Sequence, residues 1–232
     1  MTKPNFIEIV VVLDRSGSMG TVRLDTIGGF NTFVSDQKLN AVGEIKLSLI
    51  QFDDQYEVVY NGKQITDVPP LTEETFVPRG MTALLDAVGK SINAVGDRLA
   101  KTPEVERPSL VVFVILTDGQ ENASKEFKLE QVKEMITHQK EKYGWQFVFL
   151  GADQDAFQAA QMGLSANSTY NYTSANTIGT YTTLSRAINH IGDVMVTCDS
   201  FAANNAAANL GDLMREQDAA AKTVTNNSAG TV

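Results

Sequence analysis

The chain has 232 residues, 43% of them hydrophobic, with a formal net charge of −9. That length suits one domain with a substantial core, and a negative balance without any dense Lys/Arg block argues against nucleic acid as a direct partner. The single cysteine, Cys198, excludes an internal disulfide framework, no apolar run reaches the roughly 20 residues that span a bilayer, and the N-terminus lacks a secretion signal's apolar region, so the expectation is a soluble, cytoplasmic protein.

Phe6 to Leu13 is an almost unbroken apolar run rich in β-branched residues, the pattern of a strand buried on both faces of a parallel sheet. It runs into Asp14-Arg15-Ser16-Gly17-Ser18-Met19-Gly20. Asp14, Ser16 and Ser18 stand at i, i+2 and i+4, so on a chain still roughly extended their oxygens project to one side. One carboxylate and two hydroxyls on a tight curve make a small, hard, oxygen-only nest suited to magnesium or manganese. The same residues equally serve to cap the helix that follows, and this pattern alone leaves both readings open.

From about Val22 to Gln37 the spacing of Leu24, Ile27, Phe30, Phe33 and Val34 predicts a helix. Ile45 to Phe52 reads as a second strand and Tyr56 to Tyr60 as a third. The short turn Asp53-Asp54-Gln55 between them permits only a hairpin, which makes the third strand antiparallel and a sheet edge. Val68 to Pro78 is a loop. Arg79-Gly80-Met81-Thr82 then opens a helix running to about Leu99, with Thr82 in its first turn, either as an N-cap or as a hydroxyl at the positive end of the helix dipole.

After a polar loop from Lys101 to Pro108, Ser109 to Leu116 is a second fully apolar strand, followed by Thr117-Asp118-Gly119-Gln120-Glu121-Asn122. In open α/β sheets ligands bind outside the carboxyl ends of the strands. Asp14 and Asp118 therefore share one edge if their strands are neighbours, although Asp before Gly is also a common turn pairing. Lys125 to Tyr143 reads as a helix with Leu129, Val132, Met135 and Ile136 facing inward, and Trp145 to Gly151 as the fifth strand. Asp153 or Asp155 is expected to cap a short helix to about Met162, and Asn167 to Tyr172 to form the last strand. A helix follows from about Ala175 to Val196, with Leu184, Ile188, Ile191 and Met195 inward. From Asp199 the composition shifts to Ala, Asn and Thr. The reading is a domain over 1–198 and an extension over 199–232, helical from Ala202 to Ala221 on Leu210, Leu213 and Met214, and frayed beyond Thr223.

Three pieces in order, Asp14-Arg15-Ser16-Gly17-Ser18, then Gly80-Met81-Thr82, then Leu116-Thr117-Asp118-Gly119, resemble the von Willebrand factor A domain family and its metal-ion-dependent adhesion site. That site has the pattern D-x-S-x-S, a distant T and a distant D. The resemblance covers about Phe6 to Val196 and implies a Rossmann-like α/β/α sandwich, a mostly parallel six-stranded sheet with one antiparallel edge strand. It implies Ser16 and Ser18 as direct ligands of Mg2+ or Mn2+, Thr82 as a direct or water-mediated ligand, and Asp14 and Asp118 as carboxylates that mostly act through water and orient the hydroxyls. The implied function is protein binding, with a Glu or Asp of the partner completing the octahedron. Loops near Arg15, Met19, Arg79, Met81 and Glu121 are expected to select that partner.

The alternative from another class is a magnesium-dependent phosphoryl-transfer or hydrolytic enzyme on a similar sheet. The haloacid-dehalogenase-like pattern needs a second Asp where this chain has Ser16, and no phosphate-binding Gly-x-x-x-x-Gly-Lys-Ser/Thr loop is present. His138 and His190 fall within predicted helices, and Ser18 has no base beside it in the sequence. The expectation is therefore a binding module and not an enzyme.

Overall fold

A computed structural model describes residues 2–40, 42–152, 156–197 and 200–229. Six strands, β1 (Lys3–Asp14), β2 (Glu44–Phe52), β3 (Tyr56–Gln64), β4 (Pro108–Thr117), β5 (Gln146–Ala152) and β6 (Thr169–Tyr172), form one sheet in the order β3-β2-β1-β4-β5-β6. All neighbours run parallel except β3, which returns antiparallel along β2 as the short turn requires. The two wholly apolar runs, β1 and β4, lie side by side at the centre, in register from Ile7 beside Leu110 to Leu13 beside Leu116. The chain leaves β1 for β2 on one side and returns to β4 on the other, so the strand order switches between β1 and β4, at their carboxyl ends.

Alternation along the strands builds a core on each face. Ile7, Ile9, Val11 and Leu13 of β1 pack with α1 (Arg23–Asn40), α5 (Thr177–Thr197), α6 (Ser200–Ala208) and α7 (Leu210–Ala229). Val10 and Val12 face α2 (Leu84–Lys101), α3 (Leu129–Tyr143) and α4 (Ala156–Gln161). Glu8 points to this second face and is wholly buried. It pairs with Arg98 of α2 and accepts the Ser48 hydroxyl at 3.1 Å.

The predicted elements are all present, with several boundaries moved. β1 starts at Lys3 and β3 extends to Gln64, because ladder pairing continues past the apolar residues that marked these strands. Within α1, Leu24 is 66% exposed, while Phe30, Phe33 and Val34 are buried. Gly29 lets the Tyr181 ring of α5 press onto α1, since a Cβ there would stand 2.4 Å from the ring. The third helix begins at Leu129 and not at Lys125. Asp86 accepts the backbone N–H groups of Lys125, Glu126 and Phe127 at 2.8–2.9 Å and holds that stretch as a loop. Leu184, Ile188, Ile191 and Met195 are buried along α5 as predicted.

Over 200–229 the expected extension is helical, and its helix continues to Ala229 past the Thr223 where fraying was expected. Ala203, Ala207, Leu210 and Met214 are buried in the same core as β1 and α5. Arg215 donates to the Thr169 carbonyl at 2.5 Å and the Ala166 carbonyl at 2.9 Å, which covers the open edge of β6. Asp153, Asp155 and Cys198 lie outside the described residues.

Candidate metal centre

β1 ends at Asp14, whose side chain is fully buried. Its Oδ1 accepts the Ser16 backbone N–H at 2.6 Å, which bends the chain into the short 3-10 helix at Gly17–Val22. Its Oδ2 accepts the Thr117 hydroxyl at 2.6 Å, which ties the end of β1 to the end of β4. Ser16 Oγ and Ser18 Oγ lie 3.0 Å apart, and Ser18 donates to Asp118 Oδ1 at 2.5 Å. With that hydrogen spent on Asp118, the Ser16 hydroxyl is left to serve Ser18 Oγ or the Asp14 carboxylate.

The third segment arrives as a loop. Thr82 precedes α2 instead of lying in its first turn, and the N-cap position belongs to Ala83, whose side chain makes no capping bond. The Thr82 N–H donates to Asn122 Oδ1 at 2.9 Å, and its carbonyl accepts the N–H groups of Asn122 at 3.0 Å and Ala123 at 3.2 Å. Gly17 donates its N–H to the Gly80 carbonyl at 3.2 Å, and Arg79 to the Arg15 carbonyl at 2.8 Å. Gly80 has φ +67°, and a Cβ there would stand 2.2 Å from Asp54 Oδ1, so the turn needs glycine.

The three loops converge beside Gly119. A Cβ built on that residue would stand 2.8 Å from Thr82 Oγ1 and 3.5 Å from both Asp14 Oδ2 and Ser16 Oγ. Oxygens from two segments therefore line one small space beside the third, and the Ser16–Ser18–Asp118 chain of bonds extends it to the exposed Ser18 and to the third segment's Asp118. All five predicted residues, Asp14, Ser16, Ser18, Thr82 and Asp118, meet at this rim.

Burial raises the Asp14 carboxyl to about 6, against the lowering effect of the Thr117 hydroxyl and the Ser16 N–H, and the nearby Asp118 charge adds to the rise. Asp118 is also raised, by burial first, with the Ser18 hydroxyl opposing. A cation between them would favour both ionised forms. The donor set is two carboxylates and three hydroxyls, all hard oxygens, and this fits magnesium or manganese better than a thiolate- or imidazole-seeking metal. Among the described residues no group of three or more His, Cys, Asp or Glu could hold a metal, so a cation held here would need the hydroxyls as well.

Some site residues were not singled out in the sequence. Thr117 fixes Asp14. Asp53 holds the neighbouring loops, its Oδ2 accepting Arg15 Nε at 3.1 Å and Arg79 Nε at 2.8 Å and its carbonyl accepting the Ala83 N–H at 2.9 Å. Asp53 follows the buried strand β2, the same signal that marked Asp14 and Asp118. Two of the expected partner-selecting positions are corrected: Arg15 is 5% exposed and Met19 is fully buried, so neither faces outward. Arg15 turns in to Asp53 and Glu57, while Met81 is 54% exposed on the rim. His138 and His190 are exposed on α3 and α5.

The family model for the von Willebrand factor type A domain matches residues 8–187. The chain belongs to this family. Type A domains are in general metal-dependent protein-interaction modules. Solved structures with the same fold include the PilB minor pilin from Streptococcus sanguinis, 14% identical with a TM-score of 0.57 over 84% of this chain and 63% of that one. They also include the vWF domain of the type V pili tip protein Mfa5 from Porphyromonas gingivalis, 13% identical with a TM-score of 0.56 over 82% and 96%. Proximal thread matrix protein 1 from the mussel byssus, solved with a zinc occupied MIDAS motif, is 13% identical with a TM-score of 0.54 over 78% and 47%. This chain spans 46% of the length of two further structures of the byssus protein. None of the curated proteins matches it. Two of these neighbours are pilus proteins, which lends no support to the cytoplasmic location expected from the sequence. Among the described residues no helix is long and apolar enough to cross a membrane.

Proposed function

We propose that this type A domain binds another protein through a divalent cation, magnesium or manganese, with a Glu or Asp of the partner as the final ligand. The observation that carries this reading is the ring of Thr82, Asp14 and Ser16 oxygens around the space beside Gly119. Ser16, Ser18 and Thr82 offer hydroxyl oxygens to the ion. Asp118 takes the Ser18 hydrogen, so that hydrogen does not stand between the Ser18 oxygen and a cation. Asp14 is pinned from both sides by Ser16 and Thr117, so its carboxylate is held ready without side-chain freedom. Bound there, a divalent cation supplies an electrophilic position that favours one more anionic oxygen.

The zinc occupied MIDAS motif of the byssus protein supports a metal role, and the all-oxygen donor set here argues for magnesium or manganese over zinc. Ser18, exposed at the mouth of the ring, gives an outside carboxylate access. The test is capture of partners from a native lysate with magnesium and again with EDTA. Titration calorimetry on the recovered partner and on its Glu→Gln or Asp→Asn variants then follows. Loss of binding with chelator and with the amide variant is expected; equal affinity in EDTA refutes the reading.

A further inference from the structure

Next to the metal centre the surface opens into a groove of about 530 Å³ between the start of α2, the loop after β4 and α4. Leu85, Leu129 and Phe157 supply its apolar lining. Phe157 is 73% exposed, an aromatic ring left in water on the first turn of α4. Leu85 and Leu129 are only partly buried against the core. The groove adjoins the centre through the chain itself. Its wall residue Glu121 lies three residues beyond Asp118, and Asn122, the next residue, holds Thr82 in place. At about 3.3–3.6 Å per residue the step from Asp118 to Glu121 is at most about 10 Å.

Among the polar groups that line the groove, Glu121 is fully spent. Glu121 Oε1 accepts the N–H groups of Ala123 at 3.0 Å and Ser124 at 2.8 Å, and Oε2 accepts the Leu85 N–H at 2.9 Å and the Ser124 hydroxyl at 2.7 Å. Its charge is thereby used inside the loop and is not free to ligate a cation. Gln158 is held on one side. Its Oε1 accepts the Glu121 N–H at 2.9 Å, while its amide nitrogen is buried with no partner among the described residues.

We infer that this groove is the second half of the binding surface and takes a large apolar side chain, Leu, Ile, Met or Phe, placed within three residues of the acid that reaches the metal. The inference rests on the metal-bridged reading above. The occupant is an extended segment of the partner protein, because strand geometry covers about 10 Å in three residues. With a net charge of −9 on the chain, the segment carries a single acid and is otherwise neutral or basic.

A library of random twelve-residue peptides displayed on phage, selected on the full chain in magnesium and in parallel in EDTA, tests this. The expected outcome is enrichment, in magnesium only, of peptides with one acid and an apolar residue no more than three positions away. Phe157→Ser, which changes an exposed side chain and leaves the core intact, should weaken the selected peptides by roughly tenfold or more and abolish the apolar preference while keeping the acid. Acid enrichment without an apolar neighbour, or with a preference unchanged in Phe157→Ser, overturns the groove and leaves the metal-bridged reading standing. Absence of magnesium-dependent acid enrichment overturns both.

Discussion

Replacing Asp14 with asparagine removes a charge that the fold buries completely. The substitution keeps the shape. Oδ1 still accepts the Ser16 N–H, and the new amide nitrogen donates to Thr117 Oγ1, whose own hydrogen can turn to the Gly119 carbonyl 3.1 Å away. In the metal-free protein the Asp14 carboxyl titrates near pH 6 instead of its ordinary 3.8. At about 1.4 kcal/mol per pH unit, holding it ionised above pH 7 costs the fold about 3 kcal/mol. The sign follows from the raised folded-state value. The stability this group contributes is fully present below about pH 3.8 and is lost as pH rises through about 6. Asp14→Asn should therefore melt above the wild type in EDTA at pH 8, by about 6–12 °C for a chain of this size, and the gap should close by pH 4. Added magnesium should raise the wild type and leave Asp14→Asn unmoved. Scanning calorimetry across pH, with EDTA and with magnesium, reads both effects. A variant that melts at or below the wild type in EDTA at pH 8 would refute the argument that the cation offsets a buried charge.

Three further outcomes are expected. Asp118→Ala and Ser16→Ala should keep the fold but lose the response to magnesium, which for the wild type at a hundred times its dissociation constant is about 2.7 kcal/mol; a thermal melt with and without the ion checks this. Gly119→Ala places a methyl group 2.8 Å from Thr82 Oγ1, inside the ringed space, so manganese affinity by calorimetry should fall at least tenfold, and an unchanged value would move the centre elsewhere. Met214→Ala should cost about 2–5 kcal/mol in urea unfolding, because that side chain is fully buried in the main core; a cost near zero would mean that α7 does not pack there in solution.

The sheet and its order of elements could be read from the sequence because β1 and β4 announce themselves by composition and the helices by spacing. What could not be read depends on contacts between distant segments. Nothing in Lys125-Glu126-Phe127 forbids a helix; Asp86, some 40 residues earlier, claims its N–H groups. The polar end of β3 is strand only because β2 continues beside it, pairing Lys46 with Gln64. In the site, the five oxygen-bearing residues were legible because the motif itself carries them. Thr117 and Asp53 acquire their roles only when three strand ends meet. Met19 stood in a polar loop by sequence, yet the short helix at Gly17–Val22 turns it into the core.

The last strand has an unusual dependence on a helix far downstream. β6 is four residues long, and the Thr169 carbonyl is met by Arg215, 46 residues downstream. During synthesis at about 5–20 residues per second, that partner emerges some two to nine seconds after Thr169. In the interval β6 offers bare backbone to any other strand. A ribosome stalled after α5, or a transcript truncated there, would release a molecule prone to swapping or aggregating through this side, whereas a chain that includes α7 closes it.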